Sequence, residues 1–110
     1  MATKELVAAT TRPLVLSILR QADSYGYDII RQVKSLSESE LNWTDGMLYP
    51  VLHRMEKEGL IRSYWNTADT GRRRKYYTVE KAGLTQLEEE KRQWRAVNGA
   101  LFRLWEKEYV

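Results

Sequence analysis

The chain has 110 residues, 43% hydrophobic and 30% charged, with no cysteine and one histidine, His53, and it carries a net charge of +3. That is the make-up of one soluble folded domain with a modest core. It excludes disulfides, thiolate metal sites and a histidine-cluster metal site, and leaves little room for a serine-type triad. The location of the charge says more than its size. Residues 1–40 and 80–110 are each neutral, while 41–79 carry seven Lys/Arg against four Asp/Glu. A cationic excess confined to the middle third points to a polyanionic partner. No apolar run approaches the roughly 20 residues that span a bilayer. Glu5 and Arg12 interrupt any signal-peptide core, so the expectation is a cytoplasmic protein without a membrane partner.

In chain order, "TKELVAA" is helix-prone with Leu6 and Val7 apolar, and "RPLVLSILRQA" is periodic through Leu14, Leu16, Ile18 and Leu19. Pro13 suits a helix first turn, with Thr10 or Thr11 as cap. A separate arm and one long helix bent at Pro13 both remain open. "QADSYGYDIIRQVKSLS" reads as a turn and a second helix, capped by Ser24, with Ile29, Ile30, Val33 and Leu36 on its apolar face. "SESELNW" reads as a polar loop. Thr44 and Asp45 then open a third helix that Gly59 closes. "LIRSYW" and "RKYYTV" are β-prone and flank the turn formers "NTADTG", which predicts a hairpin. From Glu80 a last helix runs to about Lys107, with Leu84, Leu87, Trp94, Leu101 and Trp105 at heptad-like spacing. Gly83 and Gly99 weaken it, and Lys91 and Asn98 interrupt the seam, which argues against a long coiled coil. Glu88, Glu89 and Glu90 are consecutive on this helix and read as a solvated patch, not a catalytic dyad. No nucleophile–base pair, phosphate loop or metal cluster is found, so no enzyme, metal or cofactor is expected.

The predicted fold is therefore mainly α with a small β-hairpin: a winged helix-turn-helix over residues 1–79, with an N-terminal arm, and a long C-terminal dimerisation helix over 80–110. In the third helix Leu48, Val51, Leu52 and Met55 face inward. The opposite face carries Gly46, Pro50, His53 and Lys57, flanked by Tyr49 and Arg54, and with Thr44 at the helix start these are the candidate DNA-binding residues. Poor helix residues on the outside of a good amphipathic helix call for a reason. A helix entering a DNA major groove needs close approach at its first turns and cations further along. The hairpin run "TGRRRKYY" sets Arg72, Arg73, Arg74 and Lys75 just after the turn at Gly71. Alternation sends Arg73 and Lys75 one way and Arg72 and Arg74 the other, where they can follow phosphates or a minor groove. A charge run can equally be a solvated face, and a winged helix can serve as a protein–protein module without DNA. The last helix, at about 42 Å, outruns a compact core, and its distal half (Trp94, Val97, Leu101, Phe102, Leu104, Trp105) needs cover. A second copy is the expected partner, with Leu6 and Val7 joining that interface. Two copies would read a roughly palindromic double-stranded operator.

"SYGYDIIRQV", "LYPVLHRMEKEGLI" and "GRRRKYYTVEKAG", in this order and spacing, resemble the PadR family of bacterial transcriptional regulators over about residues 12–84. The short C-terminal part is similar to its small members. The resemblance implies a homodimeric winged-helix repressor released from its operator by a small ligand. It implies recognition-helix roles for Tyr49, Pro50, His53 and Arg54, with the basic wing at Gly71–Lys75. In some small members an aromatic at the place of Trp94 lines a pocket between subunits. A flat aromatic or cationic effector near Trp94 and Asn98 is thus one expectation. Simple filling of the dimer core by Trp94 and Trp105 is the other.

Overall fold

The structure, a computed structural model, describes residues 3–67 and 70–109. Helix α1 (Lys4–Gln21) leads through the short strand β1 (Ser24–Tyr25) into α2 (Gly26–Leu36) and α3 (Asp45–Lys57). Strands β2 (Ile61–Thr67) and β3 (Arg73–Val79) follow, then α4 (Lys81–Glu106) and a 3₁₀ turn at Lys107–Tyr109. The order is that of a winged helix-turn-helix with a helix added behind the wing.

The alternatives at Pro13 resolve into one helix. Thr3 is the N-cap, its hydroxyl accepting the Leu6 N–H at 3.3 Å, and Pro13 lies inside α1. Thr10 and Thr11 are not caps. Their hydroxyls donate backwards, Thr10 to the carbonyls of Leu6 and Val7 and Thr11 to that of Val7, a local bond that helical Thr commonly makes. Val15, Leu16, Ile18 and Leu19 bring the C-terminal half of α1 into the core, and burial of that face outweighs the backbone bond missing at Pro13.

Ser24 is not the α2 cap either. It is buried in β1 opposite Tyr77, and its hydroxyl donates to Asp28 Oδ2 at 2.7 Å, while α2 begins at Gly26 without a side-chain cap. The sheet thus has three antiparallel strands in the order β1-β3-β2, one more than the expected hairpin. In α2, Ile29 and Val33 are buried and Ile30 packs partly beside them. Leu36, expected on that face, is 70% exposed at the helix end. The loop that follows is less polar in effect than in composition, because Trp43 belongs to the core.

Helix α3 is built as its sequence implies. The Thr44 hydroxyl accepts the Met47 N–H at 3.2 Å. Leu48, Leu52 and Met55 are buried, with Val51 packed against them. Its end is a left-handed stop at Gly59 (φ 78°). The Gly59 N–H bonds to the Glu56 carbonyl and the Leu60 N–H to that of Met55, with Met55 and Leu60 both buried.

The start of helix α4 presses onto the turn between α3 and β2. A Cβ at Gly83 would fall 2.2 Å from the Leu60 carbonyl oxygen, so this glycine, which weakens the helix in isolation, permits the close approach. Glu90 is no solvated residue. It lies 7% exposed on the side of α4 that meets α1, where Arg12 Nε donates to its Oε1 at 2.7 Å. Glu88 and Glu89 are exposed and pair with Lys91 and Arg92. All the buried residues of α4 fall in its first half, Gly83, Leu87 and Glu90. The distal half projects, and the chain measures 58 × 29 × 22 Å with a radius of gyration of 15.9 Å, against about 13 Å for a compact domain of 100 residues.

Candidate nucleic-acid interface

Gly46, Tyr49, Pro50, His53, Arg54 and Lys57 all lie on the exposed side of α3, as the helical spacing implies. Nothing comes within 4 Å of where a Gly46 Cβ would stand, so packing inside this chain does not require a glycine there. Thr44 is exposed but already engaged as the cap. Asp45 in the first turn favours the positive end of the helix dipole, and Arg54 and Lys57 favour the other.

The hairpin is locked to α3 by one carboxylate. Glu56 accepts the Ser63 hydroxyl at 2.6 Å and the Ser63 N–H at 3.0 Å. The bond from the Ser63 hydroxyl holds Glu56 below the usual carboxylate range. The Ser63 N–H and the charges of Lys75 and His53 add to it, against partial burial. A second tie runs from the Tyr64 hydroxyl to Asp23 Oδ2 at 2.6 Å, which raises the Tyr64 pKa. Between these ties Tyr77 is wholly buried. Burial, with the nearby Glu56 charge, pushes its pKa up to about 12, and its hydroxyl has no hydrogen-bond partner in the protein.

Register then decides where the cations go. Trp65 pairs with Lys75 and Thr67 with Arg73, on the same side of the sheet as Ser63 and Tyr77. Asn66 pairs with Arg74, on the side of Tyr76, Tyr64 and Tyr25. The expected alternation holds for Arg73, Arg74 and Lys75, and Arg72 precedes the strand beside Gly71 (φ 82°). Each cation of β3 rests on a ring. The Arg73 guanidinium lies 4.9 Å from the Trp65 ring centre and that of Arg74 4.4 Å from Tyr25, with Lys75 Nζ 5.9 Å from Tyr77. Among the described residues none of the four wing cations pairs with a carboxylate. Lys75 also acts at longer range on Glu56, while Arg72, Arg73 and Arg74 keep their charge free of carboxylates among the described residues, the state that favours a phosphate ligand.

Wing and helix ends border an open cleft of about 630 Å³, lined by Tyr25 of β1, Gly26 and Tyr27 from the start of α2, Asp45 and Tyr49 from α3, and Trp65 with Arg72–Lys75 from the wing. Trp65, Tyr25 and Tyr27 go unmarked in the sequence reading. Trp65 could have been found from the alternation of "IRSYWNT" had the hairpin register been known. A two-residue strand such as β1 gives Tyr25 no periodic signal.

Among the described residues no group of His, Asp or Glu could hold a metal ion, and no helix is long and apolar enough to cross a membrane. On α4, Val97, Leu101, Phe102, Leu104 and Trp105 form an exposed apolar stripe. Trp94 is half-buried and Asn98, one turn on, is exposed. Leu6 is exposed, whereas Val7 packs partly against the chain's own core.

The profile of the PadR-like family of transcriptional regulators matches residues 15–89, a span that holds β1, α2, α3 and the whole wing. The chain belongs to this family. A PadR-like regulator from Bacillus cereus superposes with a TM-score of 0.83 at 30% identity, over 93% of this chain and 97% of that one. A PadR family regulator from Clostridium difficile gives 0.76 at 36% identity, over 87% and 98%. A transcriptional regulator of Mycobacterium tuberculosis is 39% identical over 59 residues, 54% of each chain. As a PadR-like protein the chain is a DNA-binding transcriptional regulator and not an enzyme, and its winged-helix fold agrees with those of its relatives.

Proposed function

We propose that this PadR-like regulator acts as a homodimer that represses transcription from a roughly palindromic operator and is released by a small-molecule effector. The outer face of α3, through Tyr49, Pro50, His53 and Arg54, enters the major groove, while Gly46 allows close approach. Gly71 and the Arg72–Lys75 run lie along the flanking backbone. The observation that carries this reading is the wing: four cations without carboxylate partners among the described residues, three of them braced on rings, on a hairpin that Glu56 ties to the recognition helix.

The 80–110 segment serves as the dimerisation unit. Five large apolar side chains on the free half of α4 support it, since a solvated monomer would seldom leave such a stripe open. A two-fold pairing sets two recognition helices about 34 Å apart, one turn of B-DNA. The effector site falls where Trp94 and Asn98 of the two copies approach, and suits a flat aromatic or cationic compound. Sedimentation equilibrium with an operator selected from a random duplex pool tests the core of this. A dimer that binds the duplex supports it, and a monomer at micromolar concentration or indifference to every duplex refutes it. The protein's tryptophan emission, from four residues, should be quenched by such an effector in the wild type and much less in Trp94→Phe.

A further inference from the structure

Gly26 opens α2, and it is buried. Its backbone is helical and not left-handed, unlike that of Gly59 and Gly71, so conformational freedom does not explain a glycine there. Alanine would be the better helix former. What the missing side chain leaves is room. A Cβ at this position would stand 2.8 Å from Tyr49 Oη, 3.1 Å from Cζ and 3.4 Å from Cε1.

We propose that Gly26 is a positioning residue for Tyr49: the bare backbone at the start of α2 seats the phenol end of the ring and so sets the sequence preference of the interface. The inference rests on the DNA-reading role proposed above. Tyr49 is 37% exposed, and its ring borders the cleft that the wing cations and Trp65 complete. It is neither core nor free surface. Its hydroxyl, the one group on the ring that can donate to or accept from a base edge, is the atom closest to the missing Cβ. A methyl group at position 26 cannot share that space. The obstructing atoms are the far end of a half-exposed side chain, so the ring yields outward while the packing beneath stays. The consequence falls on recognition and not on folding.

The test crosses G26A with Y49A. Binding of the full-length wild type, both single variants and the double variant is measured by fluorescence anisotropy. The duplexes are the selected operator and its single-base-pair variants, across a salt series, with melting temperature recorded for each protein. G26A should keep the wild-type melting temperature or exceed it, and keep the salt dependence. Its preference at the base pairs that Y49A affects should fall by about fivefold or more. In the Y49A background G26A should add nothing, because the colliding ring is gone. Unchanged preference in G26A overturns the proposal, as does an equal shift in both backgrounds. A fall in melting temperature that persists without Tyr49 overturns it too, by making Gly26 a packing residue. Wild type that ignores sequence altogether sinks the DNA-reading role itself, an outcome separate from the other three.

Discussion

Replacing Arg73 and Arg74 together by alanine removes two cations per chain, four in the proposed dimer, from opposite sides of the same strand. Neither has a carboxylate partner among the described residues, so their charge is not already neutralised by such a partner. Every phosphate left without its cation shallows the plot of log affinity against log salt by about 0.9. One substitution should therefore reduce the slope by up to about 1.8, and both by up to about 3.6. Near 0.1 M salt these slopes correspond to affinities weaker by up to roughly 60-fold and roughly 4,000-fold. The weakening should be nearly equal for the operator and for unrelated duplexes, because phosphates carry no sequence. Arg92→Ala is the control, since its guanidinium is tied to Glu89 at 2.7 Å on α4. Anisotropy titrations from about 0.05 to 0.3 M salt read all of this. An unchanged slope in the double variant, or an equal change in Arg92→Ala, would falsify the wing assignment.

Tyr77→Phe deletes a buried hydroxyl that bonds to nothing in the protein. It should leave melting unchanged or raise stability by up to about 1 kcal/mol, and a clear destabilisation in thermal denaturation contradicts the packing described. Gly83→Ala drives a Cβ against the Leu60 carbonyl and should cost about 3 kcal/mol, seen as a drop of roughly 10 °C or more; an unshifted transition would mean α4 does not sit where it is placed. Glu56 has a folded pKa below its ordinary 4.5. Its contribution is thus fully present above that value and lost as pH falls through the folded one. Glu56→Ala should lower stability by about 1 kcal/mol at neutral pH and flatten the stability profile as pH falls below the ordinary carboxylate value of 4.5. An identical acid profile in the variant counts against the clamp.

Helix α3 is legible in the sequence because cap, inward positions and terminal glycine agree with one another. The wing is legible because its β-prone runs flank a dense turn cluster, and the cationic run then needs only alternation. What is not legible depends on partners distant in sequence. Pro13 reads as a helix start until the burial of Val15, Leu16, Ile18 and Leu19 holds α1 together across it. Ser24 looks like a cap because its bond to Asp28 is local, whereas its strand pairing with Tyr77 is not. Glu90 reads as one of three solvated acids, and only the approach of α1 with Arg12 makes it a buried one. Trp65 escapes notice because a hairpin with a long turn does not declare its register, and Tyr25 because a two-residue strand has no period to read. Of the candidate interface, the charges can be read from the sequence. The rings that hold them, and the glycine under Tyr49, need the fold.

The central claim is that paired copies present two recognition helices and two wings to one duplex. Hydroxyl-radical footprinting on the selected operator tests it most directly, with the number of bound chains fixed by titration well above the dissociation constant. The account predicts two chains per duplex and two protected tracts whose centres lie about one helical turn, roughly 34 Å, apart. A single protected tract with one chain bound, or no protection at low salt, would contradict it.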